Sequence, residues 1–321
     1  MTSADLTPAE TAGARTGGHF DHMALFYRDT DEFVAGVVTF VREGLDAGEP
    51  VLVALPGAHV DLIRDRIGRH ATGVRFLDTA LATRNPGRII PEVLWPFATA
   101  HPGRRVRVVG ESIWPGRGGF EYQACVAHES AINAVFADHD AAMLCLHDAA
   151  GLPEAALADA VRTHPLLTYG SGVALSPDYT APEIMVLHER PPPAPPATAV
   201  TMVYSDESML RQVRRFVATR AAAAGLSADR VDDLCVAVNE LVSNTCKYAD
   251  GPGRVSIWVE ADVLVCQVDD PGRLSDPTVG RIPPAVDRTG GRGLLMAHRL
   301  CDLVCVYSGG EGTRIRVHVN R

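Results

Sequence analysis

"ELVSNTCKYA", residues 240–249, places a carboxylate, an amide and an ammonium at steps of four and three. Upstream and through it, Leu234, Val238, Leu241 and Thr245 recur at the same steps, which predicts one apolar face of a helix over 228–248 with Ser227 as its N-cap. Glu240, Asn244 and Lys247 then share a second face within about one and a half turns. Lys247 is also the only lysine among the 30 basic residues of the chain. A carboxylate, an amide oxygen and an ammonium in a row are the parts needed to position a nucleophile, a Mg²⁺ ion and a phosphate. For this helix alone, a solvated polar face with a charge pair is the plainer reading.

Two further stretches shift that balance. "VDDPGRL" (268–274) ends a strand pattern on an acid followed by Pro-Gly, and "TGGRGLL" (289–295) opens a helix pattern with three glycines in four residues. Glycines at a helix start expose amide N–H groups to an anion, which is how phosphate is held without lysine. Each stretch is weak evidence by itself. The order and separation of all three are specific.

Together these motifs resemble the ATP-binding domain of the GHKL superfamily, and most of all the anti-sigma-factor serine kinases of bacteria. "ELVSNTCKYA" matches the Asn box, "DPG" the first glycine box and "GGRGL" the second. The resemblance implies that Glu240 is the general base orienting an attacking hydroxyl, that Asn244 binds Mg²⁺ and that Lys247 meets a phosphate. It implies that Asp270 accepts the adenine amino group and that Gly272 leaves room for the ring. Gly290, Gly291, Arg292 and Gly293 would wrap the phosphates, and Thr313 in "GTRIRV" would support the adenine end. "RLSDPTVGRIPPAVDRT" (273–289) corresponds to a short ATP lid. Leu274 departs from the pattern, standing where a second small residue is usual.

Around this region the chain divides at "HERPPPAPPATAV" (188–200), where five of six positions from 191 to 196 are proline. Such a run reads as a stiff spacer. The expected organisation is a disordered leader over 1–18, a first unit over 19–187, a linker over 188–198 and the ATP-binding unit over 199–321. In the second unit, consecutive strand patterns joined by "EAD" and "GGEG" predict hairpins, hence an antiparallel sheet under helices, a Bergerat-type α/β sandwich.

The first unit alternates continuous apolar strands with amphipathic helices, which predicts α/β architecture with a doubly wound parallel sheet. After its first strand comes "YRDTDEF", with no glycine and several acids, so the unit is no P-loop nucleotide site. "HFDHMALFYRDTDEF", "EGLDAGEPVLVALP", "VVGESIWPGRGGFEYQACVAHESAIN" and "ALADAVRTHPLL" are similar to the MEDS sensory domain, a RecA-like fold without its nucleotide loop. His22, Tyr27, Glu111, Trp114 and Tyr122 are expected on one rim at the strand ends, where such sheets take small-molecule ligands. For each, packing inside the core is the competing reading. His147-Asp148 could orient a ligand or cap a helix.

Charge and cysteine content narrow the class. The net charge is −9, while residues 200–321 carry 15 acids and 15 bases, so the acidic excess lies before them. That argues against direct nucleic-acid binding. Seven scattered cysteines without a CxxC pair read as reduced thiols. With no long apolar run and no signal-peptide pattern, the expectation is a cytoplasmic protein without membrane contact. The resemblance suggests an ATP-dependent anti-sigma serine/threonine kinase with a sensory module. Its partner would be an anti-sigma-factor antagonist or a sigma factor, and a homodimer is the family habit. A non-catalytic nucleotide-binding adapter is the second reading. A histidine kinase is the third, with His128 in "AHES" as acceptor.

Overall fold

The computed structural model describes residues 19–79, 85–169, 172–182, 191–284 and 291–321. The expected leader over 1–18, part of the linker, the end of the lid and Gly290 lie outside the described residues.

Residues up to 175 build a seven-stranded sheet of order β3-β2-β4-β5-β1-β6-β7. Its strands are β1 (Phe20–Tyr27), β2 (Val51–Leu55), β3 (Val74–Asp78), β4 (Val106–Gly110), β5 (Ala141–Asp148), β6 (Leu166–Tyr169) and β7 (Gly172–Leu175). All neighbours are parallel except β6 and β7. The connecting helices are α1 (Thr30–Asp46), α2 (Gly57–Ile67), α3 (Trp95–Thr99), α4 (Gly119–Phe136) and α5 (Glu154–Thr163). Asp29 caps α1 by accepting from the Glu32 amide, and Gly48 follows the helix at φ +70°.

The two faces of the sheet are legible in β2. Val51, Val53 and Leu55 pack toward α1 and α2, while Leu52 and Ala54 pack toward α3 and α4. Period-two alternation in a fully apolar strand means that both faces are covered. The apolar pattern over 88–101 fits a helix, but the chain there forms a 3-10 turn at Pro86–Arg88, a π turn at Ile90–Leu94 and the short α3. Pro86, Pro91 and Pro96 each remove a backbone donor, which prevents a continuous helix.

The second sheet is antiparallel throughout, of order β11-β12-β10-β9-β8. It comprises β8 (Val200–Tyr204), β9 (Gly253–Glu260), β10 (Val263–Asp270), β11 (Leu303–Gly309) and β12 (Gly312–Asn320), covered by α6 (Leu210–Ala223), α7 (Ala228–Tyr248) and α8 (Gly293–Leu300). Leu234, Val238, Leu241 and Thr245 of α7 are buried on this sheet, as their spacing predicts, and Ser227 caps the helix by accepting from the Arg230 amide. The proline run does not hang free. Pro192 is buried, and the Pro193 carbonyl accepts from the Arg316 guanidinium at 2.7 Å.

The two sheets meet through a built interface. Arg88 donates to the carbonyls of His298, Arg299 and Cys301 at 2.7–2.9 Å, and Asn85 donates to those of His298 and Cys301. These are carbonyls that the C-terminal turn of α8 leaves without intrahelical donors. Glycine is required at 87, where a Cβ would come 1.9 Å from the His298 ring. Beside it, Leu274, Ile282 and Val306 join the apolar cluster of Leu52, Ile89 and Phe136. Phe120 of α4 lies against the Arg316 guanidinium and the His318 ring.

Candidate functional site

Three elements converge in the second sheet's layer. At α7, Glu240 and Asn244 are half-buried, and Lys247 is exposed in the last turn. The first residue of α8 comes so close to them that a Cβ on Gly293 would lie 2.8 Å from Asn244 Nδ2 and 3.3 Å from Glu240 Cβ. Glycine at 293 therefore brings the start of α8 into contact with the Asn box. Gly291, at φ +79°, makes the turn into it, and Arg292 is exposed at the N-cap.

The other end of the site is organised around Asp270, the last residue of β10 and opposite Thr313 of β12. Tyr204 Oη donates to Thr245 Oγ1 at 2.9 Å, and Thr245 Oγ1 in turn donates to Asp270 Oδ2 at 3.0 Å. Asp270 Oδ1 accepts from the Gly272 amide at 2.8 Å. Burial raises the Asp270 carboxyl above its ordinary range, while the Gly272 amide and the Thr245 hydroxyl pull it back down. Thr313 Oγ1 donates to the Gly272 carbonyl at 2.8 Å and meets Ser308 Oγ at 3.0 Å.

Close packing again dictates the glycines. A Cβ at 272 would meet Asp270 Oδ1 at 2.8 Å and Ala249 Cβ at 3.1 Å. At 312 it would strike the Asp270 carbonyl at 2.1 Å, on a backbone with φ +112°. The unusual Leu274 has a local reason. Its amide donates to Ser308 Oγ at 2.8 Å, and its side chain packs into the apolar cluster shared with the first sheet.

Glu240, Asn244 and Gly293 thus form one group, and Asp270, Gly272 and Thr313 another. In the sequence Thr245 shows only as part of the apolar face, and nothing there marks its hydroxyl or Tyr204 as part of the site. The Tyr204–Thr245 contact joins residues 41 apart, and neither residue carries a local signal of it. The donor set suits Mg²⁺ with nucleotide. An amide and a carboxylate are hard oxygen donors, and Mg²⁺ is ordinarily held by one or two such groups plus substrate phosphates.

His128, the alternative phosphoacceptor, is 2% exposed in α4. Burial lowers its pKa to about 3, and no incoming phosphate reaches it there.

The first sheet offers a second concavity, of about 790 Å³, at the carboxyl ends of β1, β4 and β5. Tyr27, Glu111 and Trp114 line it, as expected from the strand ends, together with Asp148 and with His59 of α2. Glu111 accepts from Tyr27 Oη at 3.0 Å and contacts His59 Nδ1 at 2.7 Å. That carboxylate raises the His59 pKa, and burial beside it raises the Tyr27 phenol. Asp148 also accepts from the amides of Ala150 and Gly151, so it both turns the chain and faces the cavity.

Two expected rim residues are elsewhere. His22 is fully buried, because it is the third residue of β1 and the rim gathers the last. Tyr122 lies on α4 and donates to Asp159 of α5. His147 points into the interior with neither nitrogen bonded among the described residues.

No helix among the described residues is long and apolar enough to cross a membrane. Comparison with curated proteins finds no match. Two family models do match: the MEDS domain (MEthanogen/methylotroph, DcmR Sensory domain) over residues 21–165 and the histidine kinase-like ATPase domain over 203–319. The parallel sheet with the Glu111 cavity and the antiparallel sandwich with its Asn box and glycine turns are therefore two joined modules, and the chain is a fusion of a MEDS sensory domain with a histidine kinase-like ATPase domain.

Proposed function

We propose that this regulatory ATP-binding protein is an ATP-dependent serine/threonine kinase of the anti-sigma type. In this reading it transfers phosphate to a partner's hydroxyl under control of its sensory domain. The observation that carries the reading is the contact of Gly293 with Asn244 and Glu240, which sets the glycine turn that opens α8 beside a carboxylate and an amide. Phosphoryl transfer asks a protein mainly for alignment and charge neutralisation. Asn244 would hold Mg²⁺, which supplies charge neutralisation at the phosphates when bound. Lys247 and Arg292, both exposed, would add positive charge at the same end. Asp270, oriented by Thr245 and Gly272, accepts an amino group such as that of adenine. Glu240 would take the proton of the attacking hydroxyl.

The partner of this reading presents a Ser or Thr hydroxyl and is an anti-sigma-factor antagonist, or it is a sigma factor held by binding. A small molecule with a polar head and an apolar body would fill the Glu111 cavity, whose walls combine Phe33, Trp114 and Leu62 with Tyr27 and His59.

A second reading, an adapter that binds nucleotide and acts by stoichiometric binding, is favoured by the lid. Leu274 and Ile282 are packed against the first sheet's cluster, and Arg281 is buried, so part of the lid is tied to its neighbour. Titration of the full chain with ATP, with and without Mg²⁺, beside Asn244→Ala tests the site. Glu240→Gln then separates the readings. Nucleotide binding should survive, and phosphate transfer to a Ser/Thr partner should stop. Unchanged partner inhibition without transfer in either protein would leave the adapter.

A further inference from the structure

Four buried side chains meet in the interior of the MEDS domain: His22 of β1, Cys145 of β5, Glu129 of α4 and His164 at the end of α5. Strand alternation places the first two. In β1, Leu25 and Tyr27 face α1 and α2, so His22 faces the other side. In β5, Leu144 and Leu146 do the same, and Cys145 faces α4. None of the four takes part in the cavity around Tyr27 and His59.

The surrounding hydrogen bonds settle which atoms are free. Asn133 Nδ2 donates to the carbonyls of Thr163 at 2.7 Å and Ser130 at 3.3 Å, so its oxygen faces His22 Nδ1 at 3.0 Å. His22 Nδ1 must then be the protonated nitrogen. His164 Nδ1 lies 2.8 Å from the Ala160 carbonyl, which only accepts, so it too carries the proton. Glu129 Oε1 accepts from the Ser112 hydroxyl.

What remains points inward: His22 Nε2, His164 Nε2, Glu129 Oε2 and Cys145 Sγ. The thiol can donate to His22 Nε2 at 3.3 Å. His164 Nε2 and Glu129 Oε2 face each other at 3.4 Å, and neither has a hydrogen-bond partner among the described residues. Two lone pairs turned on one another in a dry interior cost free energy that a cation between them reverses.

The spacing fits a specific cation. His22 Nε2 lies 3.3 Å from Cys145 Sγ and 3.6 Å from Glu129 Oε2, and all four atoms fall within 4.8 Å of one another. A tetrahedron with zinc-like arms of about 2.0–2.3 Å has edges of roughly 3.3–3.8 Å. Second-sphere partners are already present for His22, His164 and Glu129, in the form that orients zinc ligands.

We propose that His22, Glu129, Cys145 and His164 form a buried Zn²⁺ site in the sensory domain. Two neutral imidazoles, one carboxylate and one thiolate cancel the charge of the ion, and Cys145 releases its proton to solvent as Zn²⁺ enters. Four protein ligands leave no open position, so the site holds structure or reports metal supply and does not activate water. Glu129 shares α4 with Phe120, which rests on Arg316 and His318 of the ATPase domain, so occupancy bears on the interface.

The test uses the full chain, reduced, stripped with a chelator and free of nucleotide. It is titrated with Zn²⁺ against a chromophoric chelator, and in parallel with Co²⁺ followed by absorption. The expected result is one ion per chain, a thiolate-to-cobalt band in the near ultraviolet and visible bands of a four-coordinate ion. Cys145→Ser should lose the thiolate band, and Cys235→Ser, in the other domain, should keep it. Ser112→Ala, which frees Glu129 Oε1 without touching a ligand atom, should weaken Zn²⁺ by about 10–100-fold. Folded wild-type protein that takes up neither ion would overturn the site and leave protons alone to bridge the cluster. So would a cobalt band that persists in Cys145→Ser. Because the wild-type stoichiometry and spectrum decide first, a variant that fails to fold does not shelter the proposal.

Discussion

The polar groups of the ATPase domain and those of the MEDS domain are held by opposite means. Around Asp270, a half-exposed carboxylate is already hydrogen-bonded by Thr245 and Gly272, and the buried Thr313 hydroxyl beside it is bonded to the Gly272 carbonyl and to Ser308. Around Glu129 the groups are sealed from solvent and one facing pair is unbonded. The first arrangement is a preformed surface that needs no ligand to be stable. The second stores unfavourable electrostatics in the core until something positive enters. A preformed site tolerates being empty, and a sealed one does not.

Asn244→Ala attacks the exposed site and should have the largest effect. Mg²⁺-dependent ATP affinity should fall by about 100-fold or more, read by calorimetric titration, because the amide oxygen is the metal's side-chain donor in this reading. Secondary structure and metal uptake in the first domain should stay as they are. An unchanged affinity would remove the Asn box from the site.

Acid attacks the seam between the domains. His318, against Phe120, has its pKa lowered from the ordinary 6.5 to about 4, first by burial and then by the Arg316 guanidinium. His298, beside Arg88 and Arg281, is lowered well below the ordinary value by burial and those two cations. Above pH 6.5 both are neutral in either state and pH has no leverage through them. As pH falls below 6.5 the unfolded chain takes protons that the folded one refuses, and for His318 the loss saturates near its folded value of about 4. Between pH 6.5 and 4.5, His318 alone should lower the unfolding free energy by about 2–3 kcal/mol. Denaturant melts at several pH values read this, and His318→Asn should flatten the slope.

Arg88→Ala removes three hydrogen bonds to the last carbonyls of α8, at a cost of about 1–3 kcal/mol. A lowered denaturant midpoint, with ATP affinity changed by less than in Asn244→Ala, is the expected pattern. A loss of nucleotide binding as severe as that of Asn244→Ala would show that the two regions are not separable. The smallest effect is expected of Ser308→Ala, about 1 kcal/mol in thermal unfolding. It leaves the Leu274 amide without its acceptor and removes one contact of Thr313 Oγ1, which keeps its bond to the Gly272 carbonyl.

Much of the ATPase site was legible because its parts are short and ordered along the chain. The steps from Glu240 through Asn244 to Lys247, the Pro-Gly after Asp270 and the glycines before Leu294 each encode local geometry that sequence spacing reports. Thr313 enters only through family likeness, and its hydroxyl donates to the Gly272 carbonyl. Tyr204 and His59 were not legible. Their partners are 41 and 52 residues away, and nothing local marks a side chain that will be paired across a sheet or between a helix and a strand end.

His22 shows a subtler failure. The strand was read correctly, but a parallel sheet collects ligands at its carboxyl ends, and His22 lies near the amino end of β1. The broken segment over 86–99 failed for a third reason, since its three prolines outweighed an apolar pattern that fits a helix.

Helix α8 begins at Gly293, against Asn244 and Glu240, and its final carbonyls are in the grip of Arg88. Eight residues of helix span only about 12 Å, too short to bend appreciably. The Asn244 end of one domain and the Asn85–Arg88 segment of the other are therefore joined by a single stiff rod. Thermodynamics makes such a connection symmetric. Whatever factor a ligand of the sensory domain imposes on nucleotide affinity, nucleotide must impose the same factor on that ligand. On the proposed reading, the sensor would also read the state of its own ATPase.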